Sequence, residues 1–421
     1  MLEALANAFR IPDLRRKILF TLAIIGLYRF GAHVPVPGVT AQMLEVLQKN
    51  VESGAALGLL NLFAGGALER FAVFSLGIMP YITSSIIMQL LQAVIPKLEQ
   101  WQKEGESGQR KITQITRYLT LALGLAESIG LVALFQSSQG LGVTFDWLTR
   151  VLIVITLLAG TALIMWMGEL ITQRGIGNGM SLLIFANIVA RFPATIYSAI
   201  TLQGWFWLLI IMVAVVLVVA AIVYIERGQR RIPVQYAKRI VGRKVYGGAG
   251  TYIPLKVNGA NVIPIIFASS VLYFPVVIGQ FAGAKWPSLI TMANAISVGW
   301  IHWILTAGLV VFFAYFYTAL VFNPIDLADN LRKQGGFVPG VRPGKATATY
   351  IEKVLNRITL PGALFLAAIA VIPTILFEST NITLLQQFGG TSILIMVGVA
   401  LETMTQLESQ LKMRNYDGFF K

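Results

Sequence analysis

The 421-residue sequence contains no cysteine and only two histidines, His33 and His302. Without cysteine, the chain can form no disulfide, carries no catalytic thiol and offers no thiolate ligand to a metal. The two histidines fall in the outer parts of different apolar segments, so we expect no histidine-based metal site. Charged residues are also scarce, because they make up 12% of a chain that is 56% hydrophobic. This composition excludes an ordinary soluble domain and indicates a membrane protein.

The sequence also lacks the motifs of common enzymes. Residues 340–345 resemble part of a phosphate-binding loop, but the spacing is wrong and no Ser or Thr follows Lys345. We therefore predict no nucleotide site, no cofactor and no catalytic centre. Carboxylates at membrane depth are few, namely Glu127 and Glu402, with Glu169 at a helix end. An ion-coupled secondary transporter with inverted repeats usually needs such groups along its pathway, so that alternative stays open without being favoured.

Ten segments are long and apolar enough to cross a bilayer, which takes about 20 residues in a helix. They cover residues 18–34, 72–95, 114–136, 147–170, 180–200, 204–225, 259–281, 298–322, 358–377 and 391–411. We number these segments spans 1 to 10. Their even number places both chain termini on the same side of the membrane.

Positive charge is separated to one side of this arrangement. Most of the 33 Lys and Arg residues lie in the termini and in the loops 97–117, 226–257 and 323–357. All of these fall on one side if the ten spans are right, and the other loops are nearly free of Lys and Arg. Because Lys and Arg are retained on the cytoplasmic side during insertion, we predict a multi-pass protein of the cell membrane with both termini cytoplasmic.

Counting the spans also suggests two related halves. The N-terminal half would be residues 1–200, with spans 1 to 5, and the C-terminal half residues 201–421, with spans 6 to 10. An odd number of spans in each half inverts one half relative to the other, and inverted halves place a pathway at their interface. We therefore predict an all-α polytopic membrane protein of ten transmembrane helices in two inverted five-helix halves.

Two of the basic loops, 226–257 and 323–357, are too long to be simple turns. They are rich in Gly, Pro, Tyr and Arg. A solvated connector would explain one such loop, whereas two on the same face favour a docking surface. Arginine suits phosphates and carboxylates, so ribosomal RNA and an acidic motor protein are both eligible partners.

The segment 57–71, LGLLNLFAGGALERF, is apolar but too short to cross the bilayer. It could be an amphipathic helix on the outer surface, which composition slightly favours. Alternatively, it could be a re-entrant half-helix, which a bilayer permits only where protein or water surrounds the backbone.

Over essentially its full length, the sequence resembles the SecY family, the central subunits of the bacterial protein-translocation channel. The resemblance rests on long motifs, which include SLGIMPYITSSIIMQLL (75–91), ITQRGIGNGMSLLIF (171–185), IERGQRRIPVQYAKR (225–239), ADNLRKQGGFVPGVRPG (328–344) and GGTSILIMVGVALET (389–403). It implies a protein-conducting channel rather than an enzyme. Such a channel translocates unfolded preproteins across the membrane and releases transmembrane segments laterally into it.

The resemblance also implies that a ring of aliphatic side chains closes a central pore between the halves. On this sequence the ring corresponds to Ile82, Ile86, Met180, Ile184, Ile266 and Ile395. Met180 departs from the family's usual isoleucine and brings an unbranched, adaptable thioether. A branched aliphatic rim can close around an extended chain without binding a particular sequence, and when empty it resists the passage of ions.

Two moving parts follow from the same resemblance. The segment 57–71 corresponds to the family's plug, which fills the outer funnel at rest, and its central residues here are Leu62, Phe63, Gly65, Gly66 and Leu68. Spans 2, 3, 7 and 8 would line a lateral gate, with Thr83 and Asn258 as its polar positions.

The partners implied by the resemblance are SecE-like and SecG-like subunits, a SecA-type ATPase motor, the ribosome, signal sequences with their nascent polypeptides, and the lipid bilayer. Arg243, Lys244 and Arg342 are the candidates for docking the motor or the ribosome. A passive scaffold that only anchors ribosomes is a further alternative, and it predicts docking without conductance.

Overall fold

The computed structural model describes residues 9, 11–40, 44–45, 47, 61, 63–137, 146–236, 239–241, 244–246, 251–282, 296, 299–380 and 389–417. Its helices are α1 (Pro12–Gly31), α2 (Met79–Val94), α3 (Pro96–Lys103), α4 (Glu106–Ser137), α5 (Trp147–Arg174), α6 (Gly179–Arg227), α7 (Ile263–Ala282), α8 (Trp300–Val321), α9 (Pro324–Lys333), α10 (Lys345–Thr380) and α11 (Gly390–Asp417). Its strands are β1 (Gln229–Tyr236), β2 (Arg239–Val241), β3 (Lys244–Tyr246), β4 (Thr251–Lys256) and β5 (Gly336–Phe337).

Each of the ten predicted spans overlaps one of these helices. Within the described ranges, seven helical stretches are long and apolar enough to cross a membrane, or eight if α2 and α3 form one span bent by 100°. The helices α1 and α7 also match predicted spans, which is consistent with ten. Spans 5 and 6 both fall within α6. The helical backbone breaks between them at Gly204, where φ is 81° and ψ is 166°.

Two helix boundaries differ from the prediction for local reasons. Span 2 begins at Met79 rather than at residue 72, because Pro80 suits the first helical turn and Gly77 has a positive φ of 58° just before it. Span 9 belongs to α10, which starts at Lys345 and therefore extends well into the predicted loop.

The start of α6 is capped by Asn178, whose side chain accepts hydrogen bonds from the backbone N–H groups of Met180 and Ser181.

The two long basic loops fold together and add strands that an all-α prediction lacks. Strand β1 from the first loop pairs antiparallel with β4 and, on its other edge, with β5 from the second loop, where Gln235 faces Phe337 and Tyr236 faces Gly336. A small apolar cluster lies beneath this sheet, and its buried members are Ile232, Val234, Leu255, Leu331, Val338, Ile351 and Leu355. We call the described residues 229–236, 251–256 and 324–341 the cap.

The main hydrophobic core runs through both halves of the chain. It includes buried side chains from α1, α2, α5, α6, α7, α8, α10 and α11. Helix α7 packs against α2 and α4, so the two predicted halves are in contact there, and α11 packs against α6, which contains residues of both. Close approach depends on small residues, since a Cβ at Gly160 would lie 2.0 Å from the carbonyl oxygen of Val73.

Exposed aromatic residues mark both ends of the helical bundle. Trp147, Trp205 and Trp300 lie at or near helix starts at the end opposite the cap, and they are 75%, 72% and 65% exposed. Tyr118 and Tyr224 are similarly exposed near the basic end. Amphipathic aromatic rings favour the two interfaces of a bilayer, so these residues are consistent with helices that cross it.

Gly160 provides a test of the close packing around α5. We expect Gly160→Ala to destabilise the folded protein by about 1–3 kcal/mol, because the new methyl group overlaps the backbone of Val73. Gly308→Ala is the matched control, since among the described residues no atom beyond the neighbouring backbone of its own helix lies within 4 Å of the added methyl group. Thermal unfolding of both purified variants in detergent would measure the difference. Equal midpoints would contradict the packing described here.

Candidate functional site

The six residues predicted for the pore ring come from four helices and meet in one core. Five of them, Ile82, Ile86, Met180, Ile184 and Ile395, are at most 8% exposed, and Ile266 is half-buried against the same cluster. They derive from α2, α6, α7 and α11, and therefore from both predicted halves. The six residues therefore belong to one apolar cluster, and their role as a pore ring stays a prediction.

Met180 differs from the other five in its packing. Its sulfur would lie 2.4 Å from a Cβ built at Gly168 of α5, so the thioether rests against that neighbouring helix. The unbranched side chain fits the gap that the glycine leaves. The place of Met180 in a pore ring therefore stays a prediction, and its packing partner in the structure is Gly168.

The segment predicted as a plug lies inside the molecule. Phe63, Gly65, Gly66 and Leu68 are buried in the main core or beside it, and Leu62 lies outside the described residues. For the described residues the surface-helix alternative is therefore wrong. We call residues 61 and 63–71 the inner segment.

Glycine determines the path of the inner segment. Asn61, Phe63 and Ala64 are helical, and then Gly65 and Gly66 adopt φ values of 64° and 83°. The Gly66 N–H donates to the carbonyl oxygen of Asn61 at 3.1 Å, which is the closing bond of a Schellman-type helix end. The chain then turns back and pairs with the end of span 1, where the Val36 N–H donates to the carbonyl oxygen of Phe71.

Polar side chains from α1 and α6 contact the inner segment. The Asn187 amide donates to the Tyr28 hydroxyl at 2.7 Å and to the carbonyl oxygen of Phe63 at 2.6 Å. Arg29 donates to the carbonyl oxygen of Gly65 at 3.0 Å, instead of extending towards the bilayer surface. Arg191 pairs with Glu69 at 2.8 Å.

The structure separates the two residues predicted for the lateral gate. Thr83 is buried in the second turn of α2, towards the end opposite the cap. Asn258 lies beside the cap, where its amide donates to Glu226 at 2.6 Å and to the carbonyl oxygen of Asn261 at 3.0 Å. The Asn258 amide thus joins the end of α6 to the start of α7. The gate role of both residues stays a prediction.

A polar cavity does lie between helices predicted to form that gate. It has a volume of about 260 Å³ and is bordered by α2, α3, α4 and α8. Its lining is uncharged and rich in groups that can hydrogen bond, including Ser85, Gln89, Gln92, Gln109 and Thr113. Oε1 of Gln89 has no hydrogen-bond partner among the described residues. Sequence reasoning missed this cavity, although the glutamines within an apolar span were a visible signal.

Two of the three carboxylates considered for ion coupling, Glu169 and Glu127, have separate surroundings. Glu169 forms a two-point ion pair with Arg117, at 2.7 Å and 2.5 Å, which joins α5 to α4. One oxygen of Glu127 is buried without a hydrogen-bond partner in the described structure. Within the described ranges, no group of three or more His, Asp or Glu side chains is placed to hold a metal ion.

The docking candidates belong to the basic loops. The Arg342 side chain is exposed, and its backbone carbonyl accepts a hydrogen bond from Thr347 at 2.9 Å, which orders the turn. Lys244 begins strand β3, and its side chain is not among those described. Arg243 lies outside the described residues.

Comparison with known proteins decides the family. A sequence profile of the SecY family matches residues 72–404. The chain is 51% identical to "Protein translocase subunit SecY" of Streptomyces coelicolor and 48% identical to that of Mycobacterium bovis, with 100% of each chain covered in both comparisons. The chain belongs to the SecY family.

Solved structures agree with the fold of the SecY family. The chain matches "The structure of a protein conducting channel" with a TM-score of 0.62, covering 93% of this chain and 91% of that one at 18% identity. It also matches "Sec61 in the Canine ribosome-channel complex from the endoplasmic reticulum" with a TM-score of 0.58, covering 93% and 91% at 17% identity. At these identities the likeness concerns the fold, which is that of a multi-pass membrane protein and is consistent with the ten predicted helices.

Membership of the SecY family does not by itself assign the polar residues around the inner segment. Sequence reasoning missed Tyr28, Glu69, Asn187 and Arg191 as a group. Their signal was polar side chains inside or next to apolar spans, but the partner of each one is distant in sequence, such as the 159 positions between Tyr28 and Asn187. Only the fold brings them together.

Proposed function

We propose that this chain is the channel subunit of a protein translocase, which moves unfolded preproteins across the cell membrane and releases transmembrane segments sideways into the bilayer. The observation that carries the proposal is the full-length identity of about 50% to translocase subunits named SecY. The chain is not an enzyme, so the energy for transport comes from a bound partner. Transport through an ion-coupled site is disfavoured, because Glu127, Glu169 and Glu402 lie on three different helices and Glu169 is already paired with Arg117.

The path of the translocating chain runs through the aliphatic cluster between the two halves, residues 1–200 and 201–421. Ile82 and Ile86 of α2 lie opposite Ile266 of α7 and Ile395 of α11 in this proposal. Aliphatic side chains offer no hydrogen bonds, so they grip no particular sequence and allow many to slide past. At rest the same apolar constriction opposes the entry of water and ions.

The inner segment acts as the plug in this proposal. Phe63 and Leu68 are 3% and 0% exposed, so the segment fills space in the core that would otherwise be open. Gly65 and Gly66 give it a tight turn and small cross-section. Its departure would open the outer part of the pathway.

Apolar segments leave through a lateral gate between α2 and α4 on one side and α7 and α8 on the other. Contacts between α7 and both α2 and α4 close this boundary. The polar cavity beside α8 supports the proposal, because its uncharged polar side chains interrupt an otherwise apolar contact between these helices. Interhelical polar contacts in membranes stabilise by only roughly 0.6 kcal/mol on average, so they can break and re-form when the helices part.

The cap is the proposed docking surface on the cytoplasmic side, where both termini also lie. It joins the two basic loops into one body, so a ribosome or a SecA-type motor would contact α6, α7, α9 and α10 through a single unit. A solved Sec61 channel of the same fold belongs to a ribosome–channel complex. SecE-like and SecG-like subunits complete the assembly. Arg243, Lys244 and Arg342, which belong to the same two basic loops but lie outside the residues that define the cap, supply the charge for docking.

Removal of the plug tests the seal. Deleting residues 60–70 should raise the ion conductance of reconstituted channels, because the space now filled by Phe63 and Leu68 becomes open to water. Single-channel recording in planar bilayers measures this, with the parent chain as the reference. Unchanged conductance would contradict the assignment of the plug.

The pore ring can be tested by crosslinking, which the absence of native cysteine makes simple. A cysteine at Ile86 should crosslink to a translocating chain stalled in the channel. Ile129→Cys is the control, because Ile129 is 49% exposed on the outside of α4. Adducts at residue 129 but none at residue 86 would remove Ile86 from the pathway.

Charge reversal tests the docking surface. Arg342→Glu should lower motor-driven translocation about tenfold or more, because a like charge replaces a guanidinium that binds an acidic partner. The folding of the chain should be unaffected, since the side chain is exposed. Lys353→Glu, at an exposed position on α10, is the matched control. Normal transport by Arg342→Glu would place docking elsewhere.

A further inference from the structure

The inner segment is held by directed polar contacts in addition to apolar packing. Where its short helix ends at Gly65, the last carbonyl groups have no partner within the helix. In the interior of a membrane protein, water does not supply the missing hydrogen bonds, and an unsatisfied group is costly. The carbonyl oxygens of Phe63 and Gly65 therefore need donors from elsewhere in the fold.

Two spanning helices supply these donors. Asn187 of α6 is fully buried and places its amide between the carbonyl oxygen of Phe63 and the Tyr28 hydroxyl. Arg29 of α1 donates to the carbonyl oxygen of Gly65. A cation at the C-terminal end of a helix is also favoured by the helix dipole.

An ion pair forms the second part of the attachment. The Arg191 and Glu69 side chains are 19% and 28% exposed, so their 2.8 Å contact is only partly screened by solvent. The same Glu69 oxygen accepts a hydrogen bond from the Asn61 amide, which ties the two ends of the inner segment together. Arg191 lies one helical turn after Asn187, and both follow the ring residue Ile184 along α6.

The polar contacts of the inner segment and the apolar contacts of the ring come from different parts of the chain. Arg29, Tyr28, Asn187 and Arg191 all belong to residues 1–200, the predicted N-terminal half. The opposite half contributes aliphatic ring residues, among them Ile395. Parting the halves would therefore break apolar contacts and leave the polar attachment of the segment intact.

We propose that Arg29, Asn187 and Arg191 form a polar latch on the inner segment, and that its strength, separately from the parting of the halves, sets how readily the segment leaves. The proposal rests on the proposed function, in which this segment closes the channel. The three residues are positioning residues, because they act by holding the segment and not by contacting the pore ring.

A single reporter cysteine tests the latch in the full-length chain, kept in its native membranes with its co-purifying subunits. Ala67 is fully buried, so Ala67→Cys should react slowly with a membrane-impermeant maleimide added from the outer side. In this background, Asn187→Leu should accelerate labelling about tenfold, because it leaves the carbonyl oxygen of Phe63 without its donor. Arg191→Gln should accelerate labelling severalfold.

Two further variants separate a specific latch from general loosening. Arg70→Gln removes an exposed charge from the same segment and should leave the labelling rate within about twofold of the parent. The charge-swapped pair Glu69→Arg with Arg191→Glu should recover most of the protection that Arg191→Gln loses, because the ion pair is rebuilt. If Asn187→Leu lowers the yield of folded channel, the variants of the Glu69–Arg191 pair provide the test, because these two side chains are partly exposed.

The outcomes distinguish the latch from the plug itself. Rapid labelling of Ala67→Cys in the parent, or unchanged conductance after deletion of residues 60–70, would overturn the assignment of the inner segment as the plug. A protected parent and a leaky deletion, together with parental labelling rates in both Asn187→Leu and Arg191→Gln, would overturn the latch alone. Accelerated labelling that the charge swap reverses would support it.

Discussion

The bilayer gives no hydrogen bonds to a peptide group, and much of this structure follows from that constraint. Long helices satisfy their own backbone groups, so the chain can cross the membrane repeatedly. Each interruption at membrane depth then needs a specific donor or acceptor. At the start of α6 the Asn178 side chain accepts from two N–H groups. At the end of the inner segment, Asn187 and Arg29 donate to two carbonyl oxygens.

Glycine complements this constraint by removing side-chain bulk where backbones approach. A Cβ at Gly179 would lie 1.9 Å from the carbonyl oxygen of Gly168, and one at Gly390 would lie 1.7 Å from that of Ile369. Helices α5 and α6, and helices α10 and α11, can therefore touch through their backbones. Small residues at helix contacts are typical of membrane proteins, because lipid provides no hydrophobic drive to bring helices together.

The sequence predicted those features that depend on local composition. Hydropathy located the spans, and the distribution of Lys and Arg separated the loops. Strand β1 was not predicted, although Ile232 and Val234 alternate with Arg231, Pro233 and Gln235 in the sequence and are buried in the structure. Its pairing with Gly336 and Phe337 depends on a loop about a hundred residues away, which no local pattern reveals. Similarly, Asn187 and Tyr28 are unusual as polar groups in apolar helices, but their partnership exists only in the folded chain.

A channel of this kind must seal reliably and still open for many different chains. Apolar contacts alone allow the channel to open for many chains, because they have no direction and re-form around any side chain. Hydrogen bonds and ion pairs are directional, so they fix one position of a mobile part and are lost together when it moves. In the proposed arrangement, the apolar ring lies between the predicted halves and the polar contacts lie within one of them, so each need is met by the interaction suited to it. Ile184 lies one turn before Asn187 on α6, so a single helix carries residues of both systems.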